Sequence, residues 1–219
     1  NDAQIPARYI DASIANFSNF TGNGQHVLQN ISKYVETFSD TQGQGLIISG
    51  PVGVGKTFVL ASVAKDLIRQ SYSVRFVDFF QLLAEIKAAY SKGDSGDAIL
   101  KPLIDVDILL IDELGKGRNT EFELTIIDQI VMGRYNQDKP IIATTNYLFK
   151  DQNNQHNYNI DLTQTSDNAQ RNFSPDVFGT LEKRVGSRIF SRLEECCHFA
   201  ELTGQDFRKM KARSRGIGF

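Results

Sequence analysis

Gly50-Pro51-Val52-Gly53-Val54-Gly55-Lys56-Thr57 follows the apolar run Leu46-Ile47-Ile48 and leads through Phe58 into Val59, Leu60, Val63, Ala64, Leu67 and Ile68, which share one helical face. An apolar strand, a glycine-rich loop and a helix start, in that order, build an anion cradle. The glycines let successive backbone N–H groups point inward, and the first helical turn adds the positive end of its dipole. Lys56 is placed to reach the β- and γ-phosphates of a nucleotide, and the Thr57 hydroxyl to ligate magnesium. The candidate nucleotide-binding residues are therefore Gly50, Pro51, Val52, Gly53, Val54, Gly55, Lys56, Thr57 and Phe58. A chance glycine-rich turn would not fill all eight loop positions between a strand and an amphipathic helix.

Outward from this loop the chain alternates between strand and helix patterns. Val74 to Val77 completes a strand-helix-strand unit. Phe79 to Tyr90 is helix-periodic, Ser91 to Gly96 interrupts it, and a shorter helix is predicted around Ala98 to Leu103. Ile108-Leu109-Leu110-Ile111 is too uniformly apolar for a half-exposed strand, so it belongs inside a parallel sheet covered on both faces. Thr120 and Glu123 form a capping box before a helix running to about Gln137, and Pro140 to Asn146 is a further buried strand ending in polar residues.

Toward the N-terminus, Val27, Leu28, Ile31, Tyr34, Val35 and Phe38 predict a helix, preceded by an apolar arm, Ile5 to Phe20, with no sustained period. Toward the C-terminus, Phe149 to Phe173 turns rich in Asn, Gln, Asp and Thr and predicts a long surface loop. Ser174-Pro175 marks a helix start, after which Leu181, Val185, Ile189 and Leu193 repeat at helical spacing. His198 to Leu202 is a candidate last strand, and Arg208, Lys209, Lys211, Arg213 and Arg215 make a basic tail.

The 219 residues suit one large α/β domain, divided as an arm or linker, 1–24, and a domain, 25–219, containing the insertion 149–173 and the tail 208–219. A net charge of −2 excludes a globally basic nucleic-acid binder, so contact with DNA must come from local patches. The adjacent Cys196-Cys197 cannot staple distant segments and suits a reducing compartment, and there is neither a long apolar run nor a secretion-signal layout. A cytoplasmic protein without membrane association is expected. The chain opens at Asn1 rather than a methionine, which leaves open whether an N-terminal partner-binding module precedes it. His198 has no metal-ligand company, so no metal beyond nucleotide-bound magnesium is implied.

Asp112 and Glu113 directly follow the buried Ile108–Ile111 run, which carries both carboxylates to the carboxyl edge of the sheet, where open α/β folds bind ligands. Asp112 is the candidate to hold magnesium with Thr57, and Glu113 to act as general base on the attacking water. Asn146, at the end of the next strand, is a candidate to orient that water or touch the γ-phosphate; an Asn after an apolar strand is more often a turn residue or cap, and the functional reading is preferred because the two earlier strand ends are already assigned.

This ordered set resembles the AAA+ ATPases, and within them the clade of helicase loaders of the DnaC and DnaI type and the related transposition helper IstB. The resemblance spans nearly the whole chain. It rests on Ile5-Pro6-Ala7-Arg8-Tyr9, on Gly50 to Thr57, on Ile108 to Gly115, on Ala143-Thr144-Thr145-Asn146, and on Gly186-Ser187-Arg188-Ile189-Phe190-Ser191-Arg192-Leu193. It implies a P-loop NTPase domain with a five-stranded parallel sheet flanked by helices, lacking a full C-terminal lid, that uses ATP or ADP with Mg2+. It also implies an arginine finger reaching into a neighbouring subunit's nucleotide site, matched by Arg192, with Arg188 as second candidate. Pairing with Glu182, Glu194 or Glu195 on an amphipathic helix is the alternative for both arginines. Gly204 to Arg208 resembles the closing segment of the loaders, whereas the 149–173 stretch departs from their short connection.

The partners implied are a replicative helicase and single-stranded DNA, with nucleotide-dependent self-association, or a transposase and duplex DNA for the IstB-like alternative. The region matching the family's DNA-contacting insertion offers Lys87, Tyr90, Lys92 and Lys101, although Leu82, Leu83, Ile86 and Tyr90 also fit a core-facing stripe. A small-molecule kinase and a non-hydrolysing nucleotide-gated scaffold remain as competing classes. The Asp112-Glu113 pair fits water activation better than either.

Overall fold

In a computed structural model, residues 3–17, 22–149 and 179–209 are described. They form a three-layer α/β domain around one sheet. The strands are β1 (Gly45–Ser49), β2 (Val74–Asp78), β3 (Ile108–Asp112), β4 (Ile141–Thr145) and β5 (Cys197–Glu201). Their order across the sheet is β2-β3-β4-β1-β5, and every pairing is parallel. The three central strands β1, β3 and β4 are buried at all five positions, whereas the edge strands β2 and β5 are partly open. That difference matches the uniformly apolar runs of the central strands.

Side-chain alternation divides the core in two. Leu46 and Ile48 of β1, Leu110 of β3 and Ile142 of β4 pack with α1 (Gly24–Glu36) and α2 (Lys56–Arg69) on one face. Ile47, Leu109, Ile111, Ile141 and Ala143 pack on the other face with α3 (Phe79–Ser91), α4 (Asp97–Asp105), α5 (Glu121–Tyr135), α6 (Leu181–Val185) and α7 (Ser187–Cys196). The Thr120–Glu123 capping box starts α5 as its sequence predicts. In α3, Leu82, Leu83 and Ile86 are buried, but Tyr90 is turned out of the core and is exposed.

The arm contains two 3-10 turns, Ala7–Tyr9 and Ile14–Asn16, too short to print a period on the sequence. It is anchored by Ala3, whose carbonyl accepts from the Phe76 N–H (2.8 Å), and by Lys65 Nζ, which donates to the carbonyls of Ile10 (2.6 Å) and Ala12 (2.8 Å). Ala3, Ile5, Ala12 and Phe17 join the α1/α2 core.

The structure departs from the sequence reading in α6 and α7. The four-residue repeat Leu181, Val185, Ile189, Leu193 suggests one helix, but Gly186 divides it at φ 85° and ψ 148°. Those angles are open essentially only to glycine, and the break restarts the helix while keeping all four side chains buried. Thr180 caps α6, its Oγ1 accepting from the Lys183 N–H (3.3 Å). The expected Ser174-Pro175 helix start, the insertion from residue 150 onward and the tail from residue 210 lie outside the described residues.

Candidate nucleotide site

The loop between β1 and α2 has the backbone its glycines predict: Gly50, Gly53 and Gly55 adopt φ of 152°, 86° and 103°. Close approach as well as dihedral freedom demands glycine here. A Cβ on Gly53 would lie 2.1 Å from Asp206 Oδ1, and one on Gly55 2.5 Å from Cε2 of Phe17. The arm therefore walls the loop on one side and the closing segment on the other, where the Phe207 N–H donates to the Gly53 carbonyl (2.9 Å). The Phe17 and Phe58 rings pack 5.8 Å apart beside the first turn of α2. Val52 is exposed at the tip of the loop, whereas Val54 is buried beneath it.

Lys56, only 7% exposed, curls back into the loop and donates to the carbonyls of Gly50 (2.8 Å) and Pro51 (2.9 Å). Burial pushes its pKa down to about 8, against the pull of Asp112 and Glu113, while the Arg208 charge adds to the depression. A buried ammonium whose hydrogen bonds, among the described residues, go to loop carbonyls, at the positive end of a helix, is a site that gains from a polyanion.

Asp112 ends β3 two strand positions away from the loop, because β4 lies between β3 and β1. Thr57 Oγ1 nevertheless reaches Asp112 Oδ1 at 3.1 Å, and Thr144 Oγ1 of β4 donates to the same oxygen. Burial raises the Asp112 carboxyl above its usual range, opposed by these two hydrogen bonds and assisted by Glu113 and Asp78. A carboxylate and a hydroxyl oxygen meeting at the mouth of a phosphate loop form a hard-oxygen donor set that suits Mg2+. The residues present fit both a nucleotide and its magnesium.

Glu113 sits in the left-handed region at φ 58°, uncommon for a non-glycine residue and the kind of strain that collects at functional sites. Its N–H donates to Thr144 Oγ1 (3.0 Å), so one buried threonine fixes both Asp112 and Glu113. Its carboxylate is ion-paired with Lys116 Nζ, whose ammonium stands 6.0 Å above the Phe80 ring. Asn146 follows β4, the strand between those bearing the phosphate loop and the two acids, and is half-buried.

Arg188 and Arg192 are on α7, on the side of the molecule formed with α5. Arg188 is ion-paired with Asp128 (2.9 Å), and Arg192 lies over the Tyr135 ring at 5.3 Å and donates to the Arg188 carbonyl at 3.5 Å. The side-chain partners of both arginines therefore come from α5, whereas the sequence suggested Glu182, Glu194 or Glu195. Glu195 instead accepts from the Tyr135 hydroxyl (2.9 Å).

The sequence reading missed Arg184 of α6. Its Nε donates to the Gly115 carbonyl (3.1 Å), a terminal nitrogen donates to the Gly117 carbonyl, and the guanidinium lies 4.9 Å from the centroid of the Tyr147 ring. Its partners are backbone groups nearly seventy residues away, and the position carries no motif; basic residues near a helix end are too common to single one out. A cavity of about 600 Å³ at the opposite edge of the sheet, lined by Gln44, Tyr135, Ile141 and Cys196 among others, includes none of the phosphate-loop residues.

Comparison with known proteins identifies the family and the fold. A sequence model described as "IstB-like ATP binding protein" matches residues 11–166. The replicative helicase loader DnaC of Escherichia coli (strain K12) is 29% identical over 147 residues, 67% of this chain and 60% of that protein. The replicative helicase loader DnaI of Bacillus subtilis (strain 168) is 25% identical over 123 residues, covering 55% of this chain and 39% of DnaI. The chain thus spans about 60% of the DnaC sequence and less of DnaI. Among solved structures, the DnaC helicase loader superposes with a TM-score of 0.68 at 24% identity, covering 91% of this chain and 99% of that one. The replication initiator DnaA bound to AMPPCP and single-stranded DNA gives 0.62 at 18% identity, covering 96% of this chain and 57% of that one. The chain belongs to the IstB-like ATP-binding protein family and has the AAA+ fold of the helicase loaders.

Proposed function

We propose that this chain is an ATPase, converting ATP and water to ADP and phosphate, and that it serves DNA replication as a helicase-loader-like protein. The observation that carries the proposal is the contact between Thr57 and Asp112 at the mouth of the phosphate loop, with Glu113 beside it. In this reading Gly50 to Phe58 hold the nucleotide, Lys56 gives up its loop carbonyls for phosphate oxygens, and Thr57 and Asp112 hold magnesium. Bound magnesium supplies charge neutralisation on the transferring phosphoryl group. Glu113 orients the attacking water and accepts its proton on a carboxylate oxygen, which requires that Lys116 release that carboxylate. Asn146 shares in positioning the water. Residues 25–219 act as the ATPase domain, and the arm, 1–24, closes on it through Phe17.

Arg192, or Arg188 after parting from Asp128, completes a neighbour's site, so hydrolysis rises with self-association. The relatives named as replicative helicase loaders support a replicative helicase as partner and the cytoplasm as location. The exposed Lys87, Tyr90, Lys92 and Lys101 on α3, α4 and the turn between them support contact with single-stranded DNA. No helix among the described residues is long and apolar enough to cross a membrane.

The IstB-like family match favours a second reading, a transposition helper acting on duplex DNA with a transposase. Capture of partners by the tagged chain from native extract, in ATP and in ADP, separates the two. Nucleotide-dependent recovery of a replicative helicase supports the first, and recovery of a transposase replaces it with the second.

A further inference from the structure

We infer that Arg184 is a positioning residue for Glu113, coupling the arginine-bearing α6–α7 unit to the turn that carries the base. The inference rests on the reading of Glu113 as general base. Residues 113–117 form a tight turn: Glu113 at φ 58°, Gly115 at φ 81°, and the Lys116 N–H donating to the Glu113 carbonyl (3.0 Å). On its sheet side the turn is held by β4, whose Thr144 carbonyl accepts from the Leu114 N–H (2.7 Å) and whose Thr145 Oγ1 donates to the Leu114 carbonyl (3.0 Å). On its outer side the guanidinium of Arg184 spans the carbonyls of Gly115 and Gly117. The packing is close enough that a Cβ on Gly115 would stand 3.2 Å from Arg184 Cβ.

Three features make this more than a surface contact. The guanidinium is a planar fork that grips two carbonyls at once, and its charge strengthens both bonds in a half-buried setting. Its ring partner, Tyr147, directly follows Asn146, so the same side chain touches the segments bearing both water-orienting candidates. Arg184 also belongs to a five-residue helix joined to α7 through Gly186 alone, and the Asn119 side chain ties the same helix to the loop before α5 by donating to the Lys183 carbonyl (3.2 Å). A displacement of α7, where Arg188 and Arg192 stand, reaches Gly115 and Gly117 through Arg184 and alters where the Glu113 carboxylate is held.

The test is steady-state ATP turnover and nucleotide affinity of the full chain with Arg184→Ala and Arg184→Lys, beside Glu113→Gln. Misplacing a base by about an ångström costs up to about a hundredfold in rate. Arg184→Ala is therefore expected to lower kcat about 10- to 100-fold, leave nucleotide Kd within about threefold, and abolish the rise of turnover with protein concentration. Lysine keeps the stem and the charge but lacks the fork, so Arg184→Lys loses kcat in the same direction and serves as the reading variant if the alanine variant does not fold. Loss of nucleotide affinity in parallel with kcat overturns the inference, as does wild-type kcat with unchanged concentration dependence in a folded variant. If Glu113→Gln turns over ATP at the wild-type rate, the hydrolytic role of Glu113 fails first. A dead Glu113→Gln with fully active Arg184 variants fails this inference alone.

Discussion

Lys56 holds the least comfortable charge in the site. Its pKa stands near 8 in the fold, below the ordinary 10.5, because burial disfavours the ammonium. An unfolded chain binds more protons than the folded one between these values, so this lysine's cost to folding is present in full below about pH 8 and is relieved as pH rises toward 10.5. Nucleotide binding has the opposite dependence, since phosphates favour the charged form. Nucleotide affinity is expected to be flat up to about pH 8 and then to weaken by up to about tenfold per pH unit. Titrating a fluorescent nucleotide at pH 7 and pH 9.5 reads this directly, and equal affinities at both would show that Lys56 does not meet the phosphates. The phosphate loop and the Asp112-Glu113 pair were legible in the sequence because each is a short contiguous pattern set by a strand end. Arg184 was not, and neither was the shared Thr144 hydroxyl, because their roles depend on which strand and which turn come to lie beside them.

Elements show where periodicity misleads. Leu181, Val185, Ile189 and Leu193 keep the spacing of one helix across a break, and the isolated Gly186 within that pattern was the signal. A Cβ there meets nothing within 4 Å, so Gly186→Ala tests backbone strain alone. It is expected to cost about 1–3 kcal/mol in denaturant unfolding, and a cost below about 0.5 kcal/mol would mean that α6 and α7 can join into one helix. Arg134 presents the complementary case. It is fully buried, and its guanidinium donates to the carbonyls of Leu103, Ile104, Val106, Asp107 and Pro140, closing the end of α4 and the starts of β3 and β4. In the sequence it reads as an ordinary basic residue near the end of α5. Arg134→Met fills much of the space but strands these acceptors, and is expected to lower stability by about 3 kcal/mol. Urea titrations of the two proteins decide it; a loss under about 1 kcal/mol would mean that water satisfies the carbonyls as well.

At the scale of the molecule, the sheet order explains the site. Placing β4 between β1 and β3 leaves room for Thr144 to bind Asp112 and Glu113 while Thr57 spans the remaining distance from the loop. The composition of the strands foretold which are central, whereas their order follows from how α2 and α5 cross the two faces, which no local pattern records. Phe17 and Asp206, from the two ends of the described chain, meet the same loop at Gly55 and Gly53, and such closure across the fold is likewise invisible in local sequence. The proposed function turns on hydrolysis of ATP through Glu113. Its most direct test is ATP turnover by the wild-type chain and Glu113→Gln, measured with nucleotide binding on the same preparations. Turnover is expected to depend on Mg2+ in the wild type and to fall at least about a hundredfold in Glu113→Gln, with nucleotide affinity retained. Equal turnover in the two proteins, or none in the wild type at any protein concentration, would contradict it.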